Sequence, residues 1–79
     1  MSGDRSGTLP VVSGREVVKA LRKIGYELDY QRGSHMALRQ EEVPHRRVTV
    51  PDHREIAKGT LRSIIRDVGL TVAEFNALL

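Results

Sequence analysis

At Gly25-Tyr26 the spacing of apolar residues changes from a helical period to a strand period, and this switch constrains the fold more than any other feature. Before it, Val17, Ala20, Leu21 and Ile24 fall on one helical face, with Arg15, Lys19, Arg22 and Lys23 on the other. Ser13 and Glu16 open that segment as a capping box, in which each side chain accepts from the other residue's free backbone N–H. Gly25 supplies the left-handed stop. After it, Tyr26, Leu28 and Tyr30 alternate with Glu27, Asp29 and Gln31, which predicts a strand over 26–32 with one buried face. Gly33-Ser34 reads as a turn and His35–Gln40 as a second strand, with Met36 and Leu38 alternating against His35, Ala37 and Arg39. A polar connection through Pro44 leads to a third strand, Arg47–Val50, ended by Pro51. From Thr60 the period is helical again, through Leu61, Ile64, Ile65 and Val68 to Gly69. Thr71 and Glu74 then cap a short terminal helix carrying Val72, Phe75, Leu78 and Leu79. Short strand connections favour an antiparallel meander. The order α-β-β-β-α-α predicts an α+β domain, a three-stranded antiparallel sheet with its helices on one face.

The 79 residues suffice for one domain with a thin core, and the absence of cysteine rules out disulfides and thiolate metal sites. The first residues, MSGDRSGTLP, are small, polar and without period, so residues 1–12 are expected to form a disordered leader and 13–79 the folded domain. No stretch approaches the ~20 apolar residues that span a bilayer, and no signal-peptide core follows the start, so the expected location is the cytoplasm. The formal charge is +3, unevenly spread. Between Val43 and Arg66, Arg46, Arg47, Arg54, Lys58, Arg62 and Arg66 face only Asp52 and Glu55. Such a balance suits a polyanion, most often a nucleic acid, although a Lys/Arg-rich soluble surface explains charge alone equally well.

The three histidines, His35, His45 and His53, lack the i, i+4 spacing and the accompanying carboxylate of helical metal sites, so no metal and no cofactor are expected. No nucleophile elbow, P-loop or dinucleotide fingerprint is present. What remains is Gly33-Ser34-His35, a histidine that follows a glycine turn and therefore projects from the rim of a sheet. Its imidazole can accept and return a proton near neutrality. Taken locally, a surface histidine that happens to follow a turn is the stronger of the two readings. Arg32 to Met36 also matches the scar of a common expression tag, but no histidine run precedes it and the strand pattern continues through Met36 and Leu38. Lys58-Gly59-Thr60 precedes the second helix, where free N–H groups can receive a phosphate, and Arg62 and Arg66 extend its basic edge. An ordinary Thr-capped helix with solvated arginines fits the same residues. Tyr26 and Tyr30 read as core or sheet-edge residues rather than base-stacking platforms.

Taken in order, these features resemble the HicA, or YcfA-like, family of bacterial and archaeal toxins. The resemblance runs from about Ser13 to Leu79 and rests on Gly25-Tyr26, on Gly33-Ser34-His35, and on Val48-Thr49-Val50-Pro51 with His53 two residues on. Gly59-Thr60-Leu61 with Ile64, and then Gly69-Leu70, complete it. It implies an α-β-β-β-α core similar to the double-stranded RNA-binding domain, cleavage of messenger RNA, and neutralisation by a cognate HicB-like antitoxin. It makes His35 the catalytic residue; His53 matches the family's Pro-x-His pattern without an assigned role, and Met36 stands where a second histidine or an apolar residue is often found. The mechanism expected is metal-independent phosphodiester cleavage with His35 as general base, and Ser34, Arg39, Lys58, Thr60 and Arg62 are the expected RNA contacts. The rival reading is a non-catalytic RNA-binding module or an inactive toxin scaffold, which gives His35 no special role.

Overall fold

The computed structural model describes residues 7–79. In chain order it contains α1 (Gly14–Arg22), β1 (Tyr26–Arg32), β2 (His35–Gln40), β3 (Arg47–Pro51), α2 (Lys58–Asp67) and α3 (Val72–Asn76). The strands form a single antiparallel sheet in the order β1-β2-β3. Alternation along β2 and β3 turns Met36, Leu38, Val48 and Val50 inward and leaves His35, Arg39, Arg47 and Thr49 exposed. α1 packs on β1 and β3, and α2 on β3, covering the inward face alone. The result is an α+β domain of the double-stranded RNA-binding type, with one sheet face open.

Local chemistry fixes the ends of the elements. The Ser13 hydroxyl accepts from the Glu16 N–H at 3.1 Å while the Ser13 N–H donates to Glu16 Oε1 at 2.8 Å. Thr71 and Glu74 repeat the arrangement at α3, at 3.0 and 2.8 Å. Each cap contributes about 1 kcal/mol. Tyr26, Leu21, Leu38, Leu61, Val50 and Phe75 are wholly buried, so all three helices and the sheet share one core. Among the described residues that core contains no buried polar or charged residue. Phe75 places α3 in the same cooperative unit as the sheet.

Three expectations are corrected. First, β1 does not bury one face along its length: Tyr26 is buried, whereas Leu28 is 39% and Tyr30 54% exposed. The cause is a bulge, since Leu28 pairs with Leu38 but Tyr30 pairs with Ala37, leaving Asp29 as the extra residue. The bulge moves Tyr30 onto the open face, and Asp29 there accepts from Arg47 Nη1 at 3.0 Å across β2. Second, the expected leader reaches too far into the chain. Residues 1–6 lie outside the described residues, but Val12 is buried, Leu9 packs against the core, and the Val12 carbonyl accepts from the Ile56 N–H at 2.9 Å. Third, α2 begins at Lys58 rather than Thr60, and its N-cap is Ala57, with no side-chain cap. Lys58-Gly59-Thr60 is therefore the first turn of that helix instead of a loop ahead of it.

Candidate functional site

His35 opens β2 directly after the two-residue turn Gly33-Ser34. Gly33 has φ +58°, at the first loop position, where tight hairpins of the II′ kind place glycine. The turn sets His35 opposite Arg32 on β1 and opposite Pro51 on β3. Beyond that last pair the Asp52 N–H donates to the Ser34 carbonyl at 2.6 Å, so the chain leaving β3 stays tied to the hairpin turn. One residue further, the His53 carbonyl accepts from the Gly14 N–H at 2.9 Å, which ties the same loop to the start of α1.

Gly14 makes that contact possible. A Cβ on Gly14 would overlap the Pro51 carbonyl oxygen, so only glycine lets α1 approach the end of β3 this closely. Asp52 locks the junction from the other side. Its carboxylate accepts from Arg15 Nε at 3.2 Å and Nη2 at 3.4 Å, and from Gln31 Nε2 at 3.2 Å. The Arg15 hydrogen bond, then that of Gln31, holds the Asp52 carboxyl below the ordinary carboxylate range.

Around this junction lies an open cleft of about 370 Å³, lined by His35, Thr49, Pro51, His53, Ala57 and Thr60. It brings together the end of the sheet, the β3–α2 loop and the first turn of α2. A larger groove of about 730 Å³ runs between residues 8–11 and α3, but no ionisable side chain among the described residues lines it. The two imidazoles distinguish the smaller cleft from that groove.

The residues anticipated from sequence divide by position. His35 and Thr60 line the cleft, and Ser34 borders it through its backbone carbonyl. Arg39 lies four residues along β2 from His35, roughly 13 Å at the strand rise, among Glu27, Asp29 and Glu41. Lys58 and Arg62 are exposed but sit on the flank of α2 opposite Thr60, because two residues rotate the helix by about 200°. The ladder supplies a nearer cation: Arg32 stands directly across from His35 on the open face. Nothing in the local sequence around Arg32 marks it, because its proximity follows from strand register. His53 enters by the same route, through the loop tied to Ser34 and Gly14.

His45 sits at the far end of the sheet, where its ring contacts the Gln40 carbonyl at 3.2 Å. Among the described residues no three His, Asp or Glu side chains are grouped to hold a metal ion. No described helix is long and apolar enough to cross a membrane. What the cleft offers is two imidazoles, two hydroxyls and the N-terminal turn of a helix, a set suited to proton transfer at a substrate carrying negative charge.

An α+β domain with one bare sheet face and a histidine-lined cleft at the sheet's end defines the structural class. Residues 14–70 match the model of the HicA toxin of bacterial toxin-antitoxin systems, and the chain belongs to that family of toxins, each paired with an antitoxin. No curated protein matches the chain.

Proposed function

We propose that the chain is an endoribonuclease toxin that cuts messenger RNA, with His35 as general base. Neutral His35 takes the proton of a ribose 2′-hydroxyl, and the 2′-oxygen forms a bond to the adjacent phosphorus. The bond from phosphorus to the 5′-oxygen breaks, giving a 2′,3′-cyclic phosphate and a 5′-hydroxyl end. The scheme draws on imidazole chemistry alone and needs no metal. The observation that carries it is the position of His35, exposed at the rim of the sheet and lining an open cleft beside Arg32 and Thr60. Thr60 and the free N–H groups at the uncapped start of α2 would receive the phosphate. Lys58, Arg62 and Arg39 would act at longer range, guiding the RNA backbone over the basic surface. Cytoplasmic messenger RNA is the substrate this reading requires, and a HicB-like antitoxin would hold the toxin inactive. The toxin domain in this reading extends past residue 70 through α3, because Phe75 is buried in the common core.

A single general base supplies about 10²–10⁴-fold. The expected outcome is that His35→Ala keeps its fold and its RNA affinity while cleavage of labelled RNA, assayed in chelator, falls by about that factor. Undiminished cleavage by the variant would remove His35 from the mechanism. Binding without any product from the wild-type protein would establish the non-catalytic RNA-binding module instead.

A further inference from the structure

We propose that His53 is the second catalytic group of the cleft, the imidazolium that protonates the departing 5′-oxygen. The inference rests on the nuclease reading above and adds the half of the reaction that His35 leaves unassigned. When the 2′-oxygen bonds to phosphorus, the 5′-oxygen leaves with the electron pair of its bond to phosphorus and needs a proton. His53 gives that proton and becomes neutral as His35 becomes charged. The two then exchange states through solvent before the next turnover, so protons and charge balance.

The geometry points to this pairing in three ways. Among the described residues, His35 and His53 are the only ionisable side chains that line the 370 Å³ cleft, one from the sheet and one from the β3–α2 loop. Both rings are exposed, and no described residue makes a hydrogen bond to either, so their nitrogens are open to a substrate. The loop that carries His53 is held at its backbone: the Asp52 N–H bonds the residue before His35 at 2.6 Å, and the His53 carbonyl accepts from Gly14 at 2.9 Å. Three chain segments therefore fix the positions of the two histidines relative to each other, while His53 itself contributes no buried surface to the core. An exposed side chain on a backbone this constrained is preorganised for a ligand rather than for stability. Charged neighbours are Arg15 and Asp52 from α1 and the end of β3, Arg32 from β1, Arg54 and Glu55 in the loop, and Lys58 in α2. Asp52 beside His53, and Arg15 bonded to it, leave the loop near neutral overall.

The test uses the full chain and two RNA substrates, one ordinary and one with sulfur replacing the 5′-oxygen at a single cleavage site. A sulfur leaving group departs without a proton. His53→Ala and His53→Asn are expected to cut ordinary RNA at least 10²-fold more slowly but the sulfur-bridged site at close to the wild-type rate. His35→Ala should be slow on both. Against pH, the wild type should give a bell, with His53→Ala lacking the fall at alkaline pH and His35→Ala lacking the rise from acid. His53 variants that are slowed equally on both substrates, or not slowed on either, overturn the proposal and leave the nuclease reading intact. A wild type that cuts neither substrate overturns both. Since His53 joins the fold through its backbone carbonyl, both variants are expected to keep the wild-type melting temperature, and a shared drop in it would assign the residue to structure.

Discussion

Gly14 carries no reactive atom, yet the cleft depends on it. Its N–H bonds the His53 carbonyl, and a Cβ in its place would overlap the carbonyl oxygen of Pro51. Alanine favours a helix over glycine by about 1 kcal/mol in an interior position and by less at a first turn. Overpacking against fixed backbone costs about 1–3 kcal/mol, so the steric term decides the sign. Gly14→Ala should therefore lower stability by about 2 kcal/mol in chemical denaturation and reduce cleavage by moving the loop. Asp52 acts on the same junction through charge. Its carboxyl is held below its ordinary value of 3.8, first by the Arg15 hydrogen bond and then by that of Gln31. A group depressed in the folded state contributes stability that is present above its unfolded pKa and lost as pH falls through the folded one. Wild type should thus melt above Asp52→Asn at neutral pH, and the gap should close as the pH drops below about 4. A gap that persists unchanged in acid would mean that the charge of the carboxylate is not its source. The ion pair is open to solvent, so the effect is small.

Among the elements, α2 is the exception. α1 and α3 each begin with a reciprocal capping box, whereas the N-cap of α2, Ala57, offers no side-chain acceptor for its first N–H groups. Ala57→Ser should raise stability by about 1 kcal/mol, read as a higher denaturation midpoint at unchanged slope. Ala57 also lines the cleft, so the same substitution is expected to weaken RNA binding where its hydroxyl competes for those N–H groups. Most elements could be read directly from the sequence, because the capping boxes and the change of period at Gly25-Tyr26 are local signals. The bulge at Asp29 could not. Alternation put Tyr26, Leu28 and Tyr30 on one face, and the extra residue that turns Tyr30 outward is set by pairing with Leu38 and Ala37, which no local pattern records. Val12 was missed for a related reason: one apolar residue shows no period, and its burial depends on the distant Ile56. Of the candidate site, the rim position of His35 was legible from the turn before it, and its proposed role only from the family resemblance. Arg32 and the meeting of His53 with His35 follow from strand register and a loop bond, both properties of the assembled sheet.

At the scale of the whole molecule, the open sheet face and the rims of α1 and α2 spread cationic side chains over a protein of net charge +3. Contacts to phosphate release counterions, so binding to single-stranded RNA should weaken steeply with salt. If about three phosphates are neutralised, a plot of log affinity against log salt should fall with slope of about −2, since each contributes about −0.7. A slope near zero would mean that charge does not drive the encounter. The junction of Gly14, Ser34, Asp52 and His53 has one more consequence, in time rather than in space. It joins the first helix, the hairpin turn and the loop before α2, and the cleft is closed on its last side by Thr60. A chain emerging from the ribosome therefore exposes His35 well before the segment that gives His35 its surroundings. Until α2 has emerged and docked there is no cleft, and on the proposed nuclease reading a toxin assembled this way would not attack the message from which it is being read.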